Sequence, residues 1–402
     1  MARPALVLFD DLQARRWEPF ALTRPVGELL FGAEKLADRA ARALGLEPVC
    51  YLTQEHLADF CEDGTPDVLG LHALPAERDL IFWCSRAVLE PGQDIAVPDG
   101  PAVYAIGEQP VGIYVPAGRR PDETFLRELD VESALGPQVQ LRGRLLEWVW
   151  DLLVDAPDQM GRDLAAGAEI CDLPAGVFHE GQHGVSVGQG VRIEPGVLLD
   201  TRDGPIRIGD DVEVRTGTRL AGPAALGNRS RLLGGSFERI CAGPYSYLRG
   251  ELVDSVILGY TNKAHEGYLG HSYVGKWVNL GALTTNSDLK NNYRPVRVWT
   301  PAGLQETGHI KIGCFLGDHV KTGIGLLLGT GTVVGAGANL YGSAMPPRYV
   351  EPFSWGEGDA LVEYRLAEFL DAAARVMARR GVEPGERERR YLTSCWRKGR
   401  GG

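Results

Sequence analysis

Between Tyr260 and Tyr293 the chain concentrates side chains that can move protons and hold phosphates. The run Tyr260-Thr261-Asn262-Lys263-Ala264-His265-Glu266-Gly267-Tyr268 is followed by Trp277-Val278-Asn279-Leu280-Gly281. Next comes Thr284-Thr285-Asn286-Ser287-Asp288-Leu289-Lys290-Asn291-Asn292-Tyr293. Acyl transfer from a thioester needs a base to deprotonate an amine or hydroxyl near neutral pH, and histidine suits that task. It also needs cations for phosphate groups and amide donors for sugar hydroxyls and a developing oxyanion. His265, Lys263 and the set Asn279, Asn286 and Asn291 supply those types. Asn, Asp and Gly are equally good loop formers, so composition leaves the two explanations level. Zinc is the other chemistry histidines offer. His265 and His271 lie six apart, with His309 and His319 further on, but no cysteine or carboxylate spacing joins them.

A second group lies near the N-terminus. Asp10-Asp11 follow the strand-like run Ala5–Phe9, where α/β domains often place a metal–nucleotide site. Two carboxylates there could hold Mg²⁺ against phosphates, an acidic turn being the plain alternative. Arg24, in Leu22-Thr23-Arg24-Pro25, is either a phosphate grip or a structural ion pair. Neither Gly-x-x-x-x-Gly-Lys-Ser/Thr nor Gly-x-Gly-x-x-Gly occurs.

These residues must be positioned by a chain of 402 residues, enough for two or three domains and a large core. The net charge of -11 argues against a general nucleic-acid binder, which needs a basic face. Apolar content of 44% marks a globular chain, and no apolar run is long enough for a membrane span. The apolar stretch before Asp10 is too short for a signal peptide, and seven scattered cysteines without a Cys-x-x-Cys pair fit a reducing cytoplasm.

Glycine divides the chain. Of 52 glycines, 33 lie between positions 161 and 345, a density that long helices do not tolerate. There an aliphatic residue recurs every six positions, at Val187, Ile193 and Leu199, then at Ile208, Val214, Leu220, Leu226 and Leu232. The phase resumes at Leu316, Leu328, Val334 and Leu340, with Thr322 filling one slot. A held period of six predicts a triangular solenoid whose sides are short strands with one aliphatic residue inward. The phase lapses over 235–268 and 286–311, which reads as loops on one face. Residues 1–155 alternate strand-like runs with a helical stretch near Glu28–Leu44, an α/β pattern. The solenoid occupies 156–350. Beyond it, 351–402 holds an amphipathic helix from about Glu357 to Arg380, stopped by Gly381, and a charged tail that reads as solvated. The flat faces and edges of a solenoid must be covered, which predicts a homotrimer with acyl sites between neighbours.

Leu8-Phe9-Asp10-Asp11, the segment Leu22-Thr23-Arg24-Pro25-Val26-Gly27-Glu28-Leu29, Trp150-Asp151-Leu152 and the run 259–292 resemble the divergent bacterial branch of bifunctional UDP-N-acetylglucosamine pyrophosphorylase / glucosamine-1-phosphate N-acetyltransferase. Lys321-Thr322-Gly323-Ile324 and Phe353-Ser354-Trp355-Gly356 fit it too. The resemblance implies a nucleotidyltransferase-like α/β domain joined to a left-handed parallel β-helix that trimerises, with a C-terminal helix. It implies acetyl transfer from acetyl-CoA to an amino-sugar 1-phosphate, and nucleotidyl transfer from UTP or another NTP with Mg²⁺, releasing pyrophosphate. Where the better-known branch has Lys-Ala-Gly-His-Leu-Thr-Tyr-Leu-Gly, this chain has Lys263-Ala264-His265-Glu266-Gly267-Tyr268-Leu269-Gly270, one residue shorter. His265 is thereby the acetyltransferase base, and Lys263 and Tyr268 the phosphate and sugar contacts. Asn279 maps to a substrate or acetyl-CoA contact, Asn286 to a further pocket amide, and Lys321 and Thr322 to the cofactor side. In the N-terminal domain Asp10 and Asp11 are the expected metal ligands and Arg24 the phosphate contact. The Leu-Ala-x-Gly-x-Gly-Thr-Arg loop of such domains is absent. The alternatives that remain are a monofunctional enzyme with one degenerate domain, and a non-enzymatic scaffold that senses nucleotides.

Overall fold

The computed structural model describes residues 3–74, 77–93, 95, 97–119, 136–165 and 172–401. The N-terminal domain is built on a seven-stranded sheet. One inner strand, Ala5–Phe9, is apolar throughout and runs parallel to Pro48–Leu52 on one side and Leu80–Cys84 on the other. A strand buried on both faces reads as a continuous hydrophobic run, which is what Ala5-Leu6-Val7-Leu8-Phe9 is. The hairpin Ala102–Ile106/Gln109–Val115 and the strand Gln138–Leu141 complete the far side. The helical stretch expected over Glu28–Leu44 is shorter. A 3-10 turn covers Val26–Glu28, and the α-helix runs Leu36–Leu44, ending on Gly45 in the left-handed conformation (φ 64°). Helices Asp151–Val154 and Ala156–Leu164 then connect to the next domain.

The middle segment is a parallel β-solenoid with three strands to a turn. On one side nine strands stack from Val185–Val187 to Tyr349–Val350. The inward ladder of another side reads Ile193, Val214, Leu232, Leu248, as the six-residue phase requires. Over 235–268 the structure departs from the sequence expectation. The coils continue there without a loop, and only the spacing changes. Ala225 pairs with Cys241, Cys241 with Val256 and Val256 with Tyr273, steps of 16, 15 and 17 residues. Shortened sides break the phase while the backbone ladder is kept. Close stacking here needs glycine: a Cβ on Gly235 (φ 122°) would lie 2.1 Å from the Gly250 carbonyl oxygen. The second lapse is a true insertion, which carries the antiparallel hairpin Arg297–Thr300/Gly303–Glu306.

Strand Ser354–Glu357 closes the solenoid, and Ala360–Glu363 pairs back on it, so the amphipathic helix begins later than expected, at Leu366. The charged tail is not a solvated end. It forms the helix Glu386–Gly399, which docks on the N-terminal domain: Arg387 meets Asp67, Arg390 meets Asp59, and the Tyr391 hydroxyl donates to the Thr23 carbonyl. Buried Tyr391, Leu392 and Cys395 form its inner face.

The two domains share a core. Trp17, Phe20, Val26, Leu29 and Phe31 follow the strand Ala5–Phe9 and pack against Ala225, Cys241, Val256, Tyr273, Phe315 and Val333 on the outer face of the nine-stranded side. No helix among the described residues is long and apolar enough to cross a membrane.

Candidate functional site

The inward phase of the solenoid decides where most of the expected site residues go. Lys263 pairs in register with Leu248, in the slot otherwise held by aliphatic side chains. Its ammonium is buried and donates to the main-chain oxygens of Arg249 and His265, both at 2.9 Å. Burial pushes its pKa down to about 8. The expected phosphate contact is therefore an interior lysine that satisfies two carbonyls at a corner. Thr322 occupies the same ladder two coils later, beyond Leu280, and its hydroxyl lies 2.8 Å from that of Thr284. Asn286 is also interior: its amide nitrogen donates to the Gly270 carbonyl and its oxygen accepts from the Gly270 amide. Thr322 and Asn286 thus hold adjacent coils together and are not available to cofactor or substrate. Lys321 points outward, yet its ammonium donates to the carbonyls of Trp277 and His319, and desolvation lowers its pKa to about 7. A lysine so engaged does not serve the expected cofactor contact.

Three expected residues stay accessible or partly so. His265 sits exposed at the corner between Asn262–Lys263 and Tyr268–Gly270, and no hydrogen bond to its ring occurs among the described residues. The Tyr268 hydroxyl donates to Asp288 at 2.8 Å. Asn279 lies on the outer face, where its side-chain oxygen accepts from Asn262 at 3.0 Å. On the next coils the His265 corner continues with Leu283, Ile324 and Tyr341, exposed by 61%, 77% and 44%.

His271, one of the four histidines weighed as zinc ligands, belongs instead to an array of charged side chains on a different corner. His271 places Nδ1 2.7 Å from Asp288 and Nε2 3.2 Å from Asp254, and Asp254 is in turn gripped by Arg239. Asp288 thus receives both Tyr268 and His271. Arg239, Asp254 and His271 stack on one corner at steps of 15 and 17 residues and all have positive φ, and these unequal steps left no fixed period in the sequence to mark them. Asp254 and His271 of this array, with Leu153, Val154, Pro157 and His309–Lys311, line a cleft of about 280 Å³ beside the connecting helices. No group of three His, Cys, Asp or Glu side chains able to hold a metal exists among the described residues.

The N-terminal residues form a different constellation from the expected one. Arg24 is buried and meets Asp318 of the solenoid at 2.6 Å and Glu62 at 3.2 Å. It is an interdomain ion pair, not a free phosphate grip. Asp10 is buried and accepts from the Val26 amide and the Thr53 hydroxyl. Burial raises its pKa against those donors. Asp11 accepts from the Ala14 amide and forms an ion pair with Arg86. Asp10 Oδ1 alone keeps no hydrogen-bond partner among the described residues, and it is buried; the other three oxygens of the pair fix the loop after Ala5–Phe9, which leaves too few free oxygens for Mg²⁺ in an open shell.

Against this geometry, residues 6–169 match the family of sugar nucleotidyl transferases. Over 161 residues the chain is 31% identical to a bifunctional sugar-1-phosphate nucleotidylyltransferase/acetyltransferase of Sulfurisphaera tokodaii, covering 37% of this chain and 38% of that protein. It is 29% identical over 123 residues to the bifunctional protein GlmU of Methanocaldococcus jannaschii, covering 27% and 30%. With the bifunctional protein GlmU of Bordetella parapertussis it shares 26% over 309 residues, 73% of this chain and 61% of that one. The matched stretches thus span less than two thirds of each relative.

Proposed function

We propose that the protein is a sugar-phosphate transferase with two activities. In this reading the solenoid transfers acetyl from acetyl-CoA to an amino-sugar 1-phosphate such as glucosamine 1-phosphate. The N-terminal domain joins UTP or another NTP to the sugar 1-phosphate and releases pyrophosphate. The observation that carries the reading is the fusion itself: a segment matching sugar nucleotidyl transferases, followed by a parallel β-solenoid, in a chain similar to a protein named for both activities.

In the acyl step the free amine attacks the thioester carbonyl carbon, the C–S bond breaks, and CoA leaves as the thiol. His265 takes the proton the amine loses and returns it to the departing CoA sulfur, an assignment supported by its exposure beside Tyr268. Tyr268, held by Asp288, and Asn279 are the sugar contacts in this reading. Leu283, Ile324 and Tyr341 form an exposed apolar row on the His265 corner, which supports a homotrimer with the acyl site between neighbours. Six unpaired cysteines among the described residues support a reducing, cytoplasmic setting.

A second reading, acyl transfer alone, is favoured by one specific observation. Nucleotides bind α/β sheets outside the carboxyl ends of the parallel strands. Here the loop that follows Ala5–Phe9 sends buried Trp17 and Phe20 into the core shared with the solenoid, and Arg24 is spent on Asp318. A panel of sugar 1-phosphates assayed for both thiol release and pyrophosphate release separates the readings. Both products support the first, thiol alone the second, and neither product from any sugar phosphate ends both.

A further inference from the structure

The insertion at 287–311 breaks the charge pattern of the molecule. Each arginine between positions 215 and 249 meets a carboxylate within 4 Å, as suits a protein of net charge -11. Arg294, Arg297, Lys311 and Arg348 have no ion-pair partner among the described residues. They are nonetheless gathered in one place. The main chain of Lys311 bridges to Leu289, the neighbour of Lys290. Lys290 feels the charges of Arg348, Arg297 and Arg294 together, with Glu306 as the opposing one, and its ammonium is tied to the Pro295 carbonyl. Glu306 stands opposite Arg297 across the hairpin without closing an ion pair.

The platform is rigid. Trp299 stacks on Tyr349 with ring centroids 3.4 Å apart, and Val296, Val298 and Ile312 are buried beneath it. Clustered like charges repel, so a fixed scaffold that holds them without counterions is built to receive an anion. Next to Arg294 the ring of Tyr293 is 69% exposed, an aromatic face beside cations. Phosphate grips plus an open ring is the combination that recognises a nucleotide, through ion pairing and base stacking.

We propose that the insertion, together with Arg348 outside it, binds a nucleoside diphosphate group, with Arg294, Arg297, Lys311 and Arg348 on the phosphates and Tyr293 against the base. Two sources share that chemistry, the nucleotide handle of CoA and the nucleotide of a nucleotide sugar. The inference rests on the transferase reading only for that choice of sources.

Titration calorimetry on the full chain with CoA, UDP and inorganic pyrophosphate tests it. Saturable binding of CoA alone assigns the acyl donor, binding of UDP alone assigns the nucleotide sugar, and either supports the platform. The double variant R294A/R297A, exposed and unpaired, should keep the wild-type melting temperature and weaken binding by about tenfold or more. Tyr293→Ala should weaken CoA or UDP by about fivefold while leaving pyrophosphate unchanged. No binding of CoA or UDP, or a double variant that binds as wild type does, overturns the proposal. If binding holds and neither transfer reaction is detected, the platform stands and the proposed activities fall.

Discussion

Arg24 of the N-terminal domain and Asp318 of the solenoid meet at 2.6 Å, each side chain all but fully buried. Glu62 and Lys276 extend the contact into a four-charge cluster that straddles the domain boundary, and the Thr23 hydroxyl adds a bond to Asp318 at 2.9 Å. The docking of one domain on the other thus depends on charges withdrawn from water, which are stable only while each keeps its partner.

Removing one member should therefore be costly. Arg24→Ala leaves Asp318 buried without its guanidinium, while half-buried Glu62 keeps only Lys276, and a loss of about 3–5 kcal/mol is expected. Urea unfolding monitored by tryptophan fluorescence reads it. An Arg24→Ala variant as stable as wild type would return Arg24 to ligand binding.

The same cluster sets an acid limit. Burial alone would raise the Glu62 carboxyl, but Arg24 and Lys276 outweigh it and hold its pKa down to about 2, against an ordinary 4.5. A carboxyl depressed in the folded state binds fewer protons there than in the unfolded chain, so its contribution is present above pH 4.5. That contribution fades as pH falls towards 2. Stability should drop across that window, and Glu62→Gln should flatten the drop. Unfolding curves collected between those limits check the slope.

Lys263 gives the opposite sign. Its folded pKa of about 8 lies below the ordinary 10.5, so the folded state releases its proton first and stability should rise with pH between those values. Lys263→Met fills the aliphatic slot without a charge. It should remove that rise, hold or improve stability at neutral pH, and leave the KM for sugar phosphate near wild type. A large increase in KM would mean that the ammonium reaches substrate after all.

Acetyl transfer should depend on His265. His265→Ala is expected to lower kcat by about 10²–10⁴-fold with a smaller change in KM. Nearly full kcat from pH 6 to 9 would place the base elsewhere, and a matching loss in His271→Ala would direct attention to the Asp288 array.

The exposed corner row predicts assembly. Ile324→Glu puts a charge at a site 77% exposed in the single chain, so it should not disturb folding. It should instead shift the mass measured by light scattering from trimer to monomer and depress acetyl transfer. A wild-type chain that is monomeric at micromolar concentration would remove the shared-site mechanism.

Period and composition alone specified much of this protein. Six-residue recurrence of Val, Ile and Leu dictates a solenoid because one aliphatic side chain per short strand must point inward. The all-apolar run Ala5–Phe9 dictates a strand covered on both faces. The same phase already marked the slot of Thr322 as interior, and the register of Leu248 with Lys263 extends that rule to the lysine. What the linear chain could not convey is which polar side chains the coils turn against one another. Asp288 collects Tyr268 and His271 because successive coils stack them on neighbouring positions, and Arg24 finds Asp318 across nearly three hundred residues. Local spacing governs the direction of a side chain along its own strand. Its partner is set by the packing of distant segments, and that packing assigned Arg24, Asp10 and Lys263 to the framework and left His265 at the surface.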